Sequence, residues 1–383
     1  MQRDVIFIPL GGGQKVGASC YYLKIGDENI ILDAGIGKEK DIEFEPNFYT
    51  LLSSQFIQSI NQINKIFISH AHIDHVGYLL KLMKQATFAD VYMTPTTKIL
   101  VKYQLYERLL KKNENIDENS RLAIESLLER IVTVNYMDVV DFGKYKVTFY
   151  AAGHMPGAMM VLFELKKKKI LYTGDYSLEG TPLTQGCFIP KNKDIDDLII
   201  CGLHAKHPNY QKKSDNLFKQ IYYMLNSVRN KGEFILCNVS QLSKGVEFVT
   251  YLNEANKDDI PIYIDSSIMD IVEKMEKLHI PILDKNNKII GNNLPNEPHI
   301  VITSSYNKKY KGKYKVFKVD FSLHEDFEEM KKFIKLVNSK QAVVVHCAKE
   351  KSVFDNTIEQ EMMYDSECRT QFIFPEEGDV YKL

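Results

Sequence analysis

The sequence predicts an α/β protein built as two units, and three observations carry that reading. The chain has 383 residues, beyond the roughly 250–300 at which one hydrophobic core stops growing. Its first half alternates short apolar strand runs with helical stretches, the mark of sheets layered with helices. From about His207 the texture changes to buried-type strands separated by amphipathic helices, as in a parallel sheet covered on both faces. The expected division is 1–206 for a first domain, 207–316 for an inserted α/β unit, and 317–383 for the segment that completes the first domain.

In chain order, Val5–Leu10 is an apolar run broken by Gly11-Gly12-Gly13, and it is followed by strand runs over Ser19–Ile25 and Asn29–Asp33. Gly12–Ser19 has the spacing of a phosphate-binding loop, but Ala18 stands where such a loop needs Lys, and a strand rather than a helix follows. A nucleotide site is therefore rejected. Lys65–Ser69 reads as a strand, Val76–Gln85 as a helix and Ala89–Met93 as a strand. Thr94-Pro95 is the N-cap and first residue of a helix to about Lys112. Leu122–Ile131 has helical spacing; Val132–Phe142, Lys146–Ala151, Met160–Leu165 and Ile170–Thr173 return to strand character. In the second unit, helices over Leu217–Val228, Val246–Leu252 and Ile268–Leu278 alternate with strands over Phe234–Cys237, Ile262–Ile264 and His299–Thr303. A helix over Glu325–Val337 and an apolar strand over Ala342–Val345 close the pattern.

A hydrophobic fraction of 44% and a charged fraction of 26% are those of an ordinary folded domain, so no disordered or fibrous class applies. No apolar run approaches about 18 residues, which argues against a membrane partner, and Met1–Leu10 is too short for a signal-peptide core. The six cysteines (20, 187, 201, 237, 347 and 368) are scattered without a Cys-x-x-Cys pair, as expected of reduced thiols in a cytoplasmic protein. The net charge of −1 argues against a protein that coats nucleic acid, though not against a local groove. The most basic and aromatic stretch runs from Tyr306 through Lys308, Lys309, Tyr310, Lys311, Lys313 and Tyr314 to Lys315. It reads as a solvated hairpin or loop.

The decisive segment is His70-Ala71-His72-Ile73-Asp74-His75-Val76-Gly77. In an extended chain, residues two apart point the same way, so His70 and His72 can grip one ion, while Asp74 and His75 at the following turn face a neighbouring position. Imidazole and carboxylate suit zinc. His154 follows a strand, Asp175 closes Leu171-Tyr172-Thr173-Gly174-Asp175, and His346 ends Ala342–Val345. Each alone is an ordinary turn residue; their shared place at strand ends makes them ligand candidates.

His-x-His-x-Asp-His, Ala152-Gly153-His154-x-x-Gly157-Ala158 and Thr173-Gly174-Asp175, in this order, resemble the metallo-β-lactamase superfamily. Leu10–Cys20 with Leu32-Asp33-Ala34-Gly35, Phe321–Asp326 and Val343–His346 resemble its β-CASP branch of RNA- and DNA-processing nucleases, which includes ribonuclease J and the pre-mRNA 3′-end endonuclease. Ile235–Leu252, with Leu242, Lys244 and Glu247, is similar to a Leu-Gly-Arg-x-x-Glu stretch of that branch's inserted domain. The resemblance implies an αββα sandwich with a smaller inserted parallel α/β cap. It implies one zinc on His70, His72, His154 and Asp175, and a second on Asp74, His75, Asp175 and His346. It also implies a catalytic role for Asp74, a general acid at His324, and nucleic acid in the cleft between cap and metal site. His346 in the last motif goes with RNA rather than DNA substrates in that branch.

One family feature is missing. The acidic residue that should follow Leu198-Ile199-Ile200 falls on Gly202, or on Cys201 in a slipped register, so no carboxylate is expected there. His204 and His207 are the candidates to fill the gap, with ordinary loop histidines as the alternative reading, and Lys244 is a candidate substrate contact. The leading expectation is a dizinc ribonuclease, with single-stranded DNA as a further substrate and a homo-oligomer as a further state. Two alternatives stay open: a hydrolase of a small ester, thioester or cyclic phosphodiester, and a weakly catalytic RNA-binding subunit that kept the metal site.

Overall fold

The computed structural model describes residues 5–54, 56–112, 117–190, 194–208, 214–240, 242–291, 293–305, 310, 312–319, 321–347, 357–365 and 368–383. The chain divides into two compact units. The first comprises Met1–Glu179, Gly186–Gln211 and His324–Leu383; the second comprises Gly180–Gln185 and Lys212–Leu323.

The first unit is two seven-stranded sheets. One runs Tyr381–Lys382, Val5–Gly11, Cys20–Ile25, Glu28–Leu32, Lys65–Phe67, Asp90–Met93, Ile131–Thr133. The other runs Gln371–Ile373, Gln341–Val345, Asp197–Cys201, Lys168–Tyr172, Met159–Leu165, Tyr145–Ala151, Val139–Asp141. The period-two alternation of side chains decides how they pack. Phe7, Tyr21, Leu23, Ile30, Leu32 and Phe67 from one sheet share a buried core with Val147, Phe149, Val161, Phe163, Tyr172 and Val343 from the other. The alternate residues, such as Tyr22, Ile31, Ile66, Leu162, Leu171 and Val344, are buried too, so both outer faces are covered. Helices supply that cover, among them Phe327–Val337, whose Phe333 ring lies 4.5 Å from Tyr176.

Each sheet is antiparallel in one half and parallel in the other. Leu32, Phe67 and Met93 end parallel strands of the first sheet, and Tyr172, Cys201 and Val345 end parallel strands of the second. Loops leaving the carboxyl ends of neighbouring parallel strands are where side chains converge in such sheets. The segments carrying His70–His75, Asp175 and His346 leave from these ends, whereas His154 follows Tyr145–Ala151, a strand paired antiparallel on both sides.

The second unit is an all-parallel five-stranded sheet in the order Asn287–Ile289, Ile262–Ile264, Ile300–Thr303, Phe234–Asn238, Tyr314–Lys318. Its central strand is buried throughout, which is why it reads as a continuous apolar run. Helices Ser214–Lys231, Lys244–Ala255 and Ser266–Glu276 accompany it.

Several expectations change. Val132–Phe142 is not one strand: Ile131–Thr133 belongs to the first sheet and Val139–Asp141 to the second. A turn separates them, closed by Asn135 N–H donating to Asp138 Oδ2 at 2.7 Å, with Met137 at φ 69°. The helix expected over Val76–Gln85 is two pieces, Ile73–Val76 and Leu79–Gln85, broken around Gly77. In the basic aromatic stretch, Tyr306, Lys308, Lys309 and Lys311 lie outside the described residues, but Tyr314–Lys318 is a parallel edge strand rather than part of a hairpin. Because that strand belongs to the second sheet, the second unit extends to Leu323, past the boundary placed at 316, and begins at Lys212 rather than 207. The final helix starts at Phe327, not Glu325: Asp326 is its N-cap, in a reciprocal capping box with Glu329.

Candidate metal centre

Local backbone sets the site. Asp33 and His346 leave their strands in the left-handed conformation, at φ 59° and 52°, which turns each chain sharply across the sheet end. Gly35 receives the backbone of the histidine segment directly. A Cβ there would stand 1.6 Å from the Asp74 carbonyl oxygen, so only glycine allows the approach. Ser19 N–H donates to Asp74 O at 2.9 Å and Ala34 N–H to His75 O at 2.8 Å, fixing the turn that carries Asp74 and His75. The glycine run that imitated a phosphate loop serves the opposite side: His346 N–H donates to Gly12 O at 2.6 Å, and Cys347 N–H to Gly13 O at 3.2 Å.

Seven side chains expected as ligands come together. His72 Nδ1 lies 3.1 Å from His70 Nε2 and 3.0 Å from His154 Nε2. Asp175 Oδ2 lies 3.6 Å from His70 Nε2 and 3.9 Å from His154 Nε2. Zinc–nitrogen bonds of 2.0–2.1 Å in a tetrahedron separate the ligand atoms by about 3.3–3.4 Å. The observed spacings bracket that value. A second group gathers beside the first: Asp74 Oδ2 is 3.6 Å from His346 Nε2 and 4.0 Å from His75 Nε2, and Asp175 Oδ2 is 3.4 Å from His75 Nε2. Asp175 thus faces both groups.

The chemistry of the donor set fits a cation at each group. Asp175 is buried, yet neither of its oxygens makes a hydrogen bond. Buried polar atoms are normally satisfied, and a carboxylate left so calls for a positive partner. Burial alone would raise the Asp175 carboxyl, but His75, His346 and His324 around it hold it well below the usual carboxylate range. Burial pushes the His70 imidazole well below its ordinary value, which favours the neutral ring that a metal requires. His75 is pushed down by burial but more strongly up by Asp175 and Asp33, and it ends well above the ordinary value.

Asp33, quoted in the sequence only within a family signature, is a functional residue in its own right. Its buried carboxylate accepts from Ser69 N–H, Ser69 Oγ and His75 Nδ1, each at 2.7 Å, and from Tyr172 OH at 2.5 Å. Holding the proton on Nδ1 turns the His75 Nε2 lone pair toward Asp175 and Asp74. Ser19 Oγ orients His346 in turn, hydrogen-bonded to its Nδ1 at 2.8 Å. The signal was present, since Asp33 ends a strand as Asp175 does, but its duty to a histidine far along the chain is a tertiary fact.

His324 also reaches the site: its Nδ1 lies 3.6 Å from Asp175 Oδ2, and its ring is 4.4 Å from that of His154. Burial, then His154, push its imidazole well below the ordinary value. The strand end opposite holds the missing acid's position. Cys201, not Gly202, faces the cluster, with its sulfur among donor atoms of Asp175 and His324 that lie within 4.8 Å of one another. Gly202 has no room, since a Cβ would stand 2.2 Å from Val344 Cγ1. No carboxylate stands at 201 or 202. Glu325, next to His324 in the chain, is wholly buried and its N–H donates to Tyr176 O at 3.1 Å; burial, then the charges of Asp175 and Glu325, raise the Cys201 thiol.

His204 and Lys244 are not among the groups that gather. His204 lies in the turn after the strand ending at Cys201, its ring 6.5 Å from His207. Lys244 opens a helix of the second unit, its ammonium 5.6 Å from the Phe321 ring.

Two sheets with covering helices, and histidines and aspartates converging at their shared strand ends, define a metallohydrolase. The chain belongs to the metallo-β-lactamase superfamily, whose profile matches residues 13–215. A second profile, described as the Zn-dependent metallo-hydrolase RNA specificity domain, matches residues 309–368. Over 279 residues the chain is 30% identical to the probable RNase MJ4 of Methanocaldococcus jannaschii, covering 71% of this chain and 61% of that one. It is 30% identical over 278 residues to cleavage and polyadenylation specificity factor 73 of Drosophila melanogaster, covering 70% and 39%. It is 28% identical over 269 residues to RNase aCSPSF2 of Saccharolobus solfataricus, covering 70% and 52%. The match thus spans less than two thirds of each of these relatives. A crystal structure of a protein of unknown function from Enterococcus faecalis V583 has the same fold over the whole of both chains, with a TM-score of 0.67 and 14% identity.

Proposed function

We propose that the protein is a dizinc ribonuclease of the β-CASP branch that hydrolyses RNA phosphodiester bonds. The observation that carries the reading is the pair of donor groups sharing Asp175, a buried carboxylate without a hydrogen bond. The RNA specificity profile and the ribonuclease names of the relatives support RNA as the substrate.

His70, His72, His154 and Asp175 would hold one zinc, and Asp74, His75, Asp175 and His346 the other. Zinc, when bound, brings the pKa of water to around 7 and neutralises charge on a phosphoryl oxygen. The protein's own groups do the rest. Asp33 and Ser19 keep the Nε2 atoms of His75 and His346 directed at Asp74. Burial strengthens the hydrogen bonds of Asp33 to His75 and of Ser19 to His346, which lie out of bulk water. His324 stands beside the cluster, where an imidazole can give a proton to the leaving oxygen.

The test is elemental analysis of protein purified without chelator, followed by incubation with end-labelled RNA, single-stranded DNA and generic ester and thioester substrates. Two zinc ions per chain and RNA cleavage abolished by chelator are expected. Absence of a bound transition metal in folded protein would overturn the reading. Zinc binding with turnover of an ester but not of RNA would move the activity to small substrates.

A further inference from the structure

The second unit carries a surface that its own fold does not explain. The helix Ser214–Lys231 buries Leu217, Ile221, Met224, Leu225 and Val228. Those residues suffice to seat it, and the remaining face of such a helix is ordinarily polar. Here it is aromatic instead: Phe218 is 50% exposed, Tyr222 70% and Tyr223 46%. The rings continue onto neighbouring elements. Tyr223 lies 5.8 Å from Phe317 on the edge strand Tyr314–Lys318, and Phe218 lies 5.6 Å from Tyr251 on the next helix.

Cations are set among these rings. The Lys315 ammonium is 5.0 Å from the centre of the Tyr223 ring and 5.7 Å from that of Phe317, and it donates to Tyr223 OH at 3.2 Å and pairs with Glu233 at 3.1 Å, a contact a phosphate would compete for. Lys231 stands 5.5 Å from the same Tyr223 ring. The whole chain has a net charge of −1, but residues 212–323 hold 17 Lys and Arg against 13 Asp and Glu. The chain total therefore conceals a basic second unit in an otherwise acidic protein. Within the basic aromatic stretch of the sequence, Lys315 is the residue that the structure brings onto this face. The strand it belongs to lies inside the segment matched by the RNA specificity profile.

We infer that the exposed face of the helix Ser214–Lys231, together with the edge strand Tyr314–Lys318, is a docking surface for single-stranded RNA. The inference rests on the ribonuclease reading and adds a binding surface to it. Exposed rings interleaved with ammonium groups match a strand whose bases are free to stack and whose phosphates run alongside. A duplex hides its base faces and does not fit this pattern. Lysines along the edge strand also disfavour pairing with the same edge of a second copy.

The test is fluorescence anisotropy with the full, zinc-loaded chain and a labelled phosphorothioate oligouridine, whose substituted linkages resist hydrolysis. Tyr222→Ala/Tyr223→Ala should weaken binding about tenfold or more while the thermal midpoint is unchanged, because stacking on both rings is lost. Tyr222→Phe/Tyr223→Phe should bind within about threefold of the parent, since the rings rather than the hydroxyls do the stacking. Lys315→Gln should lower the salt dependence of binding. Three results would overturn the inference: parental affinity in the alanine pair, equal affinity of the parent for duplex RNA, or a change of oligomeric state in the alanine pair with RNA affinity intact. If the parent cleaves RNA and the alanine pair still binds like it, only the surface falls. If the parent neither binds nor cleaves RNA, the ribonuclease reading falls with it.

Discussion

Replacing Asp33 by Asn tests whether the metal centre is organised by the carboxylate behind it. The substitution keeps size, and Asn tolerates the left-handed backbone at φ 59°, so the fold has no steric reason to change. What changes is the pattern of donors and acceptors. Four donors converge on Asp33, from Ser69 N, Ser69 Oγ, His75 Nδ1 and Tyr172 OH. Ser69 N–H meets Oδ1 and the other three donors meet Oδ2, so an amide, with one oxygen and two donors of its own, loses one bond with its oxygen at the Oδ2 place and three with it at the Oδ1 place. Hydrogen bonds to a charged group are worth about 1.5–3 kcal/mol each, so even the better orientation should cost the metal-free protein roughly 1.5–3 kcal/mol, a sizeable share of a typical stability. In that orientation His75 faces a neutral oxygen instead of a carboxylate, which gives less support to its Nε2, the atom that faces Asp175 and Asp74. Loss of such an outer partner typically weakens metal affinity about 10–100-fold. The measurements are urea denaturation of chelated protein and zinc affinity by competition with a chromogenic chelator. Zinc affinity within twofold of the parent, with stability unchanged, would refute the reasoning.

His324→Ala should keep both zinc ions and RNA affinity while turnover falls about 10²–10⁴-fold, with a smaller defect on a substrate whose leaving group needs no proton. An unchanged rate on RNA would remove His324 from the chemistry. Glu325→Gln should retain zinc and lower turnover about 10–100-fold if the buried carboxylate stands in for the acid absent at Cys201; parental turnover would leave it a structural role only. Glu247, buried in the second unit, accepts from Thr181 Oγ1 at 2.8 Å, and burial raises its carboxyl from 4.5 to about 7. Its folded value lies above the unfolded one, so the proton is held more tightly by the folded state. Stability is full below pH 4.5, falls as pH rises to about 7 and is flat above, a loss of about 3 kcal/mol. Glu247→Gln should therefore be more stable than the parent at pH 8 and equal to it at pH 4, as denaturant midpoints at the two pH values would register; a pH-independent difference would contradict this.

Much of the candidate site is legible because its ligands are announced locally. His70, His72, Asp74 and His75 sit within one short segment, and His154, Asp175 and His346 each follow an apolar run whose end could be read from composition. The sheets are legible for the same reason: Phe7, Tyr21, Leu23, Phe149 and Phe163 alternate with residues of the other face. Where two demands fell on one run, the reading failed. Val132–Phe142 looks like one strand because Val, Thr, Tyr and Phe favour extension at both ends, yet the turn at Asn135–Asp138 sends the two ends to different sheets. Tyr314–Lys318 is an edge strand, and an edge position leaves its lysines in water, so its strand-favouring Tyr, Val and Phe are hidden in a run that reads as charged.

The sequence by itself pointed to the class of chemistry, to the residues that are candidate ligands and to a two-unit architecture, since each depends on residue type and short-range periodicity. The tertiary structure decided what depends on residues far apart in the chain. It made Asp33 the partner of His75 and Ser19 the partner of His346. It placed Cys201 rather than Gly202 against Asp175 and His324 because Val344 fills the space a side chain at 202 would need. It also buried Glu325 and set Lys315 beside the Tyr223 ring. Such pairings are fixed by packing and by which strands lie side by side, and no local pattern in a single chain encodes them.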